Sequence, residues 1–223
     1  MAKSIVMMEF EGNPNIGIYM FANDKFCLLG REVLEEKRKE IEKTLGVPVY
    51  KTTILGTELL GVFVCGNNEF LVVPEIYEYE SDELIKICKK HDVELVELHN
   101  KQNTYGNNIC FGKGKLLVNP EFESKFKKDL SKKVGFDIVE IDNSQYKAIG
   151  SVTKFLNGKY FLSQELEEKQ VKPILKDVAG VGTVNSGSNI ISSGVVGNKN
   201  GLILGSMCST IEIQAIVESL DYL

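Results

Sequence analysis

"NTYGNNICFGKGKLLVNPEF", from Asn103 to Phe122, holds a glycine between tyrosine and asparagine, an apolar strand, a Gly-Lys-Gly turn, a second apolar strand and then Pro-Glu. Its glycines and lysines suggest a phosphate-binding loop, and its alternation suggests a hairpin. A phosphate loop needs its glycines between a strand and the start of a helix, where free N–H groups face the anion. Here a strand follows the turn. The stretch reads as a hairpin.

The pattern of small residue, strand, polar turn, strand and helix occurs five times. The copies are "NIGIYMFANDKFCLLG" around Gly17, "LLGVFVCGNNEFLVVPE" around Gly61, the opening stretch around Gly106, "AIGSVTKFLNGKYFLSQE" around Gly150 and "SSGVVGNKNGLILG" around Gly194. These glycines recur every 44 or 45 residues. Turn placement aligns Ser192 instead of Gly194 with the other four, so the fifth register stays open by two residues. Gly112-Lys113-Gly114 falls where the other copies carry Asn23-Asp24, Asn67-Asn68, Asn157-Gly158 and Asn198-Lys199, which are hairpin-turn residues.

A helix is predicted after each hairpin. Val33, Leu34, Ile41 and Leu45 mark the first, ended by Gly46; Ser81 is the expected N-cap of the second, before Leu84, Ile85 and Cys88. Phe122, Phe126, Leu130 and Val134 give the third an apolar stripe, with Gly135 at its end. Pro173 breaks or restarts the fourth, and the fifth runs from Ile211 to Leu220 behind Ser209-Thr210. A third strand follows each of the first four helices, in "VPVYKTTI", "VELVELH", "FDIVEID" and "AGVGTV". None follows the fifth, but the chain starts with a strand-like segment, Lys3 to Phe10. The economical arrangement is a closed ring in which that N-terminal strand completes the fifth repeat, leaving no bare sheet edge. The fold class is therefore α/β: a five-fold pseudosymmetric α/β propeller, forming a single domain over residues 1–223. In such a ring the repeat glycines stand where blades crowd the axis and a side chain would clash.

Composition bounds the function. The 223 residues are 43% apolar, enough for a large core, and the net charge of −5 argues against nonspecific grip on nucleic acid. Five cysteines, at 27, 65, 88, 110 and 208, are odd in number and form no C-x-x-C pair, so reduced thiols are expected, with neither disulfides nor zinc. "MAKSIVMMEF" lacks a signal-peptide core and no apolar run spans a bilayer; a cytoplasmic protein is expected, with no membrane, DNA, metal or cofactor partner.

The repeat layout and the segment "GTVNSGSNIISSGVVGNKNGLILGSMCSTIEIQAIVESL", Gly182 to Leu220, resemble the translation initiation factor 6 family. So do "YGNN" and the strand ends "LVVPE" and "LVNPE", in the same order along nearly the whole chain. The resemblance implies the five-bladed pentein fold. It also implies a monomeric, non-enzymatic factor on the intersubunit face of the large ribosomal subunit, chiefly on an L14-family protein near the sarcin-ricin loop. There it blocks small-subunit docking and serves subunit maturation and recycling. No extended tail is expected after the fifth helix, and the archaeal type is the expected one. Carried over by position, the contact residues are Val62, Asn107, Ser151, Val152, Asn189 and Ile190. For Asn107 the competing role is a turn hydrogen bond, and for Val62 and Val152 it is core packing. Gly182 to Asn185 is expected to shape the local backbone.

Two other functions compete with this one. Pentein enzymes that modify guanidino groups use a cysteine near the C-terminus, a histidine and carboxylates. Cys208 lies at a comparable place, but His91 and His99, the two histidines, read as surface residues far along the chain. Cys65 and Cys110 read as strand packing. A ring-shaped interaction module with another partner is the third reading.

Overall fold

A computed structural model describes residues 3–141, 146–166, 171 and 174–223. Its strands form five three-stranded sheets. Blade one holds β2 (Met20–Ala22), β3 (Cys27–Leu29) and β4 (Val49–Lys51); blade two holds β5 (Cys65–Gly66), β6 (Phe70–Pro74) and β7 (Glu94–Leu98). Blade three holds β8 (Ile109–Phe111), β9 (Lys115–Val118) and β10 (Asp137–Glu140), and blade four β11 (Thr153–Leu156), β12 (Lys159–Ser163) and β13 (Val178–Gly182). The fifth is built from both ends of the chain: β14 (Val195–Asn198), β15 (Gly201–Gly205) and β1 (Ser4–Met8). In every blade the first two strands form an antiparallel hairpin and the third runs parallel to the second. β1 runs parallel to β15 from Ser4 opposite Gly201 to Met8 opposite Gly205. The ring closes as the repeat arithmetic requires.

Gly112 to Gly114 is the β8–β9 hairpin turn, and Gly114 takes a positive φ of 65° that a glycine meets without strain. Asparagine side chains repeat across the turns. Asn23 Nδ2 donates to Asn67 O at 2.9 Å, and Asn198 Nδ2 donates to Asn23 O at 3.0 Å, so neighbouring blades are bolted at this end.

Four long helices are described: α1 (Glu35–Leu45), α2 (Glu78–Lys90), α3 (Ser124–Val134) and α4 (Thr210–Ser219). The fourth repeat's helix, with its expected break at Pro173, lies outside the described residues. Each long helix is wedged between its own blade and the preceding one. Ile41 and Leu45 of α1 pack on Cys27 and Leu29 of blade one and on Val196 and Ile203 of blade five. Leu84, Ile87 and Cys88 of α2 pack on Leu71 and Val73 and on Phe26 and Leu28 of blade one. The second strand of a blade therefore feeds a core on both faces, which is why it reads as an unbroken apolar run. Gly46 and Gly135 end α1 and α3 in the left-handed conformation, as expected. Two helix expectations are corrected. Leu34 sits at the α1 N-cap and is 80% exposed, outside the buried stripe. Ser81 lies inside α2, whose N-cap is Tyr77, and its hydroxyl bonds the Glu97 carboxylate.

The axis explains the glycines. A Cβ on Gly61 would stand 1.7 Å from Gly17 O, one on Gly106 2.1 Å from Gly61 O, and one on Gly150 2.5 Å from Gly106 O. The circuit closes through Ser192, whose carbonyl oxygen lies 1.9 Å from where a Gly17 Cβ would be. Ser192, not Gly194, is the fifth member; a Cβ on Gly194 would meet the Val184 side chain instead.

Two buried carboxylates pin the turns that lead back to the axis. Glu212, third residue of α4, accepts from Ser209 N at 2.7 Å, Thr183 Oγ1 at 2.7 Å, Gly187 N at 2.8 Å and Ser186 N at 3.1 Å. Glu80 repeats this in blade two, accepting from Thr53 Oγ1 at 2.6 Å, Leu55 N at 2.8 Å and Gly56 N at 2.9 Å. Both turns carry consecutive positive φ angles, at Leu55-Gly56 and at Asn185-Ser186-Gly187, and the carboxylate gathers the N–H groups that this conformation points inward. Gly182 to Asn185 thus shapes the backbone, as expected.

Two outcomes follow. Gly61→Ala forces backbone against backbone and lowers stability by about 3 kcal/mol; Gly114→Ala, with nothing within 4 Å of the new Cβ, costs about 1 kcal/mol from its positive φ alone. Urea denaturation midpoints with unchanged slopes check the order. Burial would raise the Glu212 pKa, but hydrogen bonds from Ser209, Thr183, Gly187 and Ser186 outweigh it and hold the carboxyl at about 2, below its ordinary 4.5. Its contribution is therefore complete above about pH 4.5 and disappears as pH falls through about 2. Glu212→Gln lowers stability by about 2 kcal/mol at neutral pH, and the gap to the parent protein closes in acid urea titrations across that window.

Candidate functional site

One end of the ring is built by the turns that precede the five inner strands. These are the short helical turns Ile16–Ile18, Leu60–Phe63, Tyr105–Asn108 and Ile191–Gly194, with the turn at 149–152 in the fourth repeat. Backbone bonds tie three of them around the axis: Ser151 N donates to Asn107 O and Ser192 N to Ser151 O, each at 3.0 Å. The structure brings four of the six expected contact residues to this end through these turns, Val62, Asn107, Ser151 and Val152. The other two, Asn189 and Ile190, lead into the fifth.

Their exposure differs. Asn107 is half-buried, and its side-chain amide makes no hydrogen bond among the described residues; only its backbone N–H, to Thr104 O at 3.1 Å, serves the turn. The turn hydrogen bonds expected of Asn107 are made by Asn108. Asn108 Nδ2 donates to Thr104 O and Thr104 Oγ1, both at 2.9 Å, and its Oδ1 accepts from Asn119 Nδ2 at 2.7 Å. Val62 is half-buried and Ile190 is 38% exposed. Asn189 is also half-buried, but its amide is engaged, accepting from Ser163 Oγ at 3.2 Å and donating to the Glu165 carboxylate. Two of the six are corrected. Val152 is 0% exposed in the blade-four core, and Ser151 is 6% exposed with its hydroxyl on Ala148 O at 2.7 Å, so neither side chain is available at the surface.

Cys208 does not assemble a nucleophile. Burial raises its thiol pKa and its sulfur sits beside Asn185, accepting from the Asn185 N–H at 3.3 Å. Both histidines lie in blade two. His91 pairs with Tyr50 Oη at 2.9 Å and packs on Phe26, with ring centres 5.4 Å apart, so the half-buried ring is an inter-blade packing residue that keeps part of the exposure expected. Burial and then Lys90 and Lys25 lower its pKa. His99 is exposed and pairs with Glu75 at 2.8 Å. The groups at the thiol are Asn185 and the charge of Glu212, and neither histidine is among them.

The fold is matched by solved structures at low identity. The N-terminal domain of ArgZ, an arginine dihydrolase from cyanobacteria, has a TM-score of 0.51 at 14% identity, covering 85% of this chain and 72% of its own. Dimethylarginine dimethylaminohydrolase has a TM-score of 0.50 at 13% identity, over 92% and 74%. Sequence relatives agree with one another. "Translation initiation factor 6" of Staphylothermus marinus is 30% identical over 221 residues, 97% of each chain. The protein of the same name from Pyrococcus horikoshii is 26% identical over 98% of this chain and 99% of its own. The eIF-6 family profile matches residues 5–219. With that match on a closed five-bladed ring, the chain belongs to the eIF-6 family.

Proposed function

We propose that this protein binds the large ribosomal subunit on its intersubunit face and keeps the small subunit from docking by occupying the space. Membership of the eIF-6 family over residues 5–219 carries the reading. Size suits steric exclusion, since a compact chain of this length has a radius of gyration of about 17 Å. A rigid ring of those dimensions at the interface prevents joining without any chemistry. The partner surface is an L14-family ribosomal protein near the sarcin-ricin loop, and the protein acts in the cytoplasm as a monomer, in subunit maturation and recycling. The net charge of −5 favours encounter with basic ribosomal proteins, an advantage that fades as salt rises.

The turn end of the ring is the contact face, with Asn107, Val62 and Ile190 as its side chains and Asn189 shaping its edge. Asn107 is central because its amide makes no hydrogen bond among the described residues, so a bond to a partner displaces none of theirs. Val62 and Ile190 supply apolar contact beside it.

On sucrose gradients in low salt the purified protein co-sediments with free large subunits and lowers the yield of joined ribosomes when small subunits are added. Migration only at the top of the gradient refutes the reading. Asn107→Ala weakens subunit binding about tenfold, equivalent to about 1.4 kcal/mol, and leaves the melting temperature unchanged. Asn108→Ala behaves in the opposite way, lowering stability by about 2 kcal/mol through its lost buried bonds. Calorimetric scans and pelleting assays on the two variants separate contact from scaffold.

A further inference from the structure

Four of the inner strands, β2, β5, β8 and β11, line a cavity on the ring axis of about 100 Å³, bounded at one end by Gly17, Gly61, Gly106, Gly150 and Ser192. Lys154, on β11, lines it, and apart from the thiols of Cys65 and Cys110 it is the only ionisable side chain among the described residues that does. Its ammonium has no hydrogen bond and no carboxylate partner among the described residues. Burial lowers its pKa, and only Cys110 opposes that shift. Cys110 supplies no counter-charge: burial raises its own pKa, as burial raises that of Cys65, and both remain thiols near neutral pH. Lys154 is half-buried; a cation partly taken out of water without a partner is costly, and a bound counter-ion removes that cost.

The inner strands add donors. In blade one, Gly30 N donates to Tyr19 O and Asn23 N to Phe26 O. By antiparallel alternation, Met20 and Ala22 between them turn their N–H groups away from the hairpin, and both line the cavity. Ala22, Gly66, Phe111, Phe155 and Leu156 also line a wider funnel of about 340 Å³ at the hairpin-turn end, which gives the cavity an entrance. The space suits a small ion with one or two waters and excludes a metabolite-sized ligand.

We propose that the axial cavity is a structural site for one small monovalent inorganic anion of the size of chloride or bromide, held by Lys154 and inner-strand N–H groups. The ion neutralises the charge of Lys154, the one fixed charge lining the axis among the described residues, and ties blade four to its neighbours. Ribosome binding is not part of this inference, which holds or fails by itself.

Bromide is the probe, with gluconate, too large for the cavity, as the matched-concentration reference. The melting temperature of the parent protein relative to Lys154→Met rises saturably with bromide, by about 3 °C at tenfold excess over the dissociation constant, and does not change with gluconate. Comparing the two proteins cancels the general effect of each salt. Crystals grown in bromide show an anomalous peak in contact with Lys154 Nζ. Equal responses of both proteins to bromide, or anomalous peaks confined to the outer surface, overturn the proposal. If Lys154→Met does not fold, the diffraction result on the parent protein decides alone.

Discussion

Bare backbone meeting bare backbone at the ring axis is the constraint on which the rest of the molecule depends. The carbonyl oxygens of Gly17, Gly61 and Gly106 each occupy the place where the next blade's Cβ would be. This close approach sets how tightly five sheets converge. That convergence in turn leaves wedge-shaped gaps between blades, which the long helices and the second strands fill from both sides. A methyl group at the axis would have to be accommodated by moving a whole blade, because the obstructing atoms are main chain.

The same constraint organises the turn end. With the glycines locked, each following residue points according to its turn, and the outcomes diverge. Asn107 and Val62 stay half-exposed just past their glycines, while Ser151, at the matching place, folds its hydroxyl back onto Ala148. One residue further on, Asn108 and Val152 are buried, one among hydrogen bonds and the other in a core. The contact face proposed above is a few side chains on a stiff backbone frame, which limits the conformational entropy lost when a partner docks.

Glu80 and Glu212 extend the frame outward from the axis. Each sits in the first turn of a helix and reaches a strained turn belonging to the third strand's exit, joining helix, sheet and turn through one carboxylate. The arrangement lies far along the chain from the turn it holds, at residues 53–56 for Glu80 and 183–187 for Glu212. No local motif announces it.

What the sequence by itself determined is the repeat. Glycines at near-constant intervals, turn asparagines, alternating apolar runs and an unpaired first strand suffice for a five-bladed closed ring, since periodic local chemistry maps onto periodic local structure. The resemblance along nearly the whole chain added the family, which the profile match over residues 5–219 bears out. What only the tertiary structure decided is which atoms meet across blades. Spacing favoured Gly194, yet Ser192 stands at the axis, because three-dimensional superposition follows turns and not counts. Asn107 and Asn108 are chemically identical neighbours, and only packing shows that the fold consumes the amide of Asn108 and leaves that of Asn107 without a hydrogen bond among the described residues. His91, read as a surface residue, is claimed by Phe26 and Tyr50 from the adjacent blade. Nothing in the chain sets Lys154 apart from the other lysines. Ring closure places it half-buried on the wall of the axial cavity, because an axis exists only once all five blades are in place.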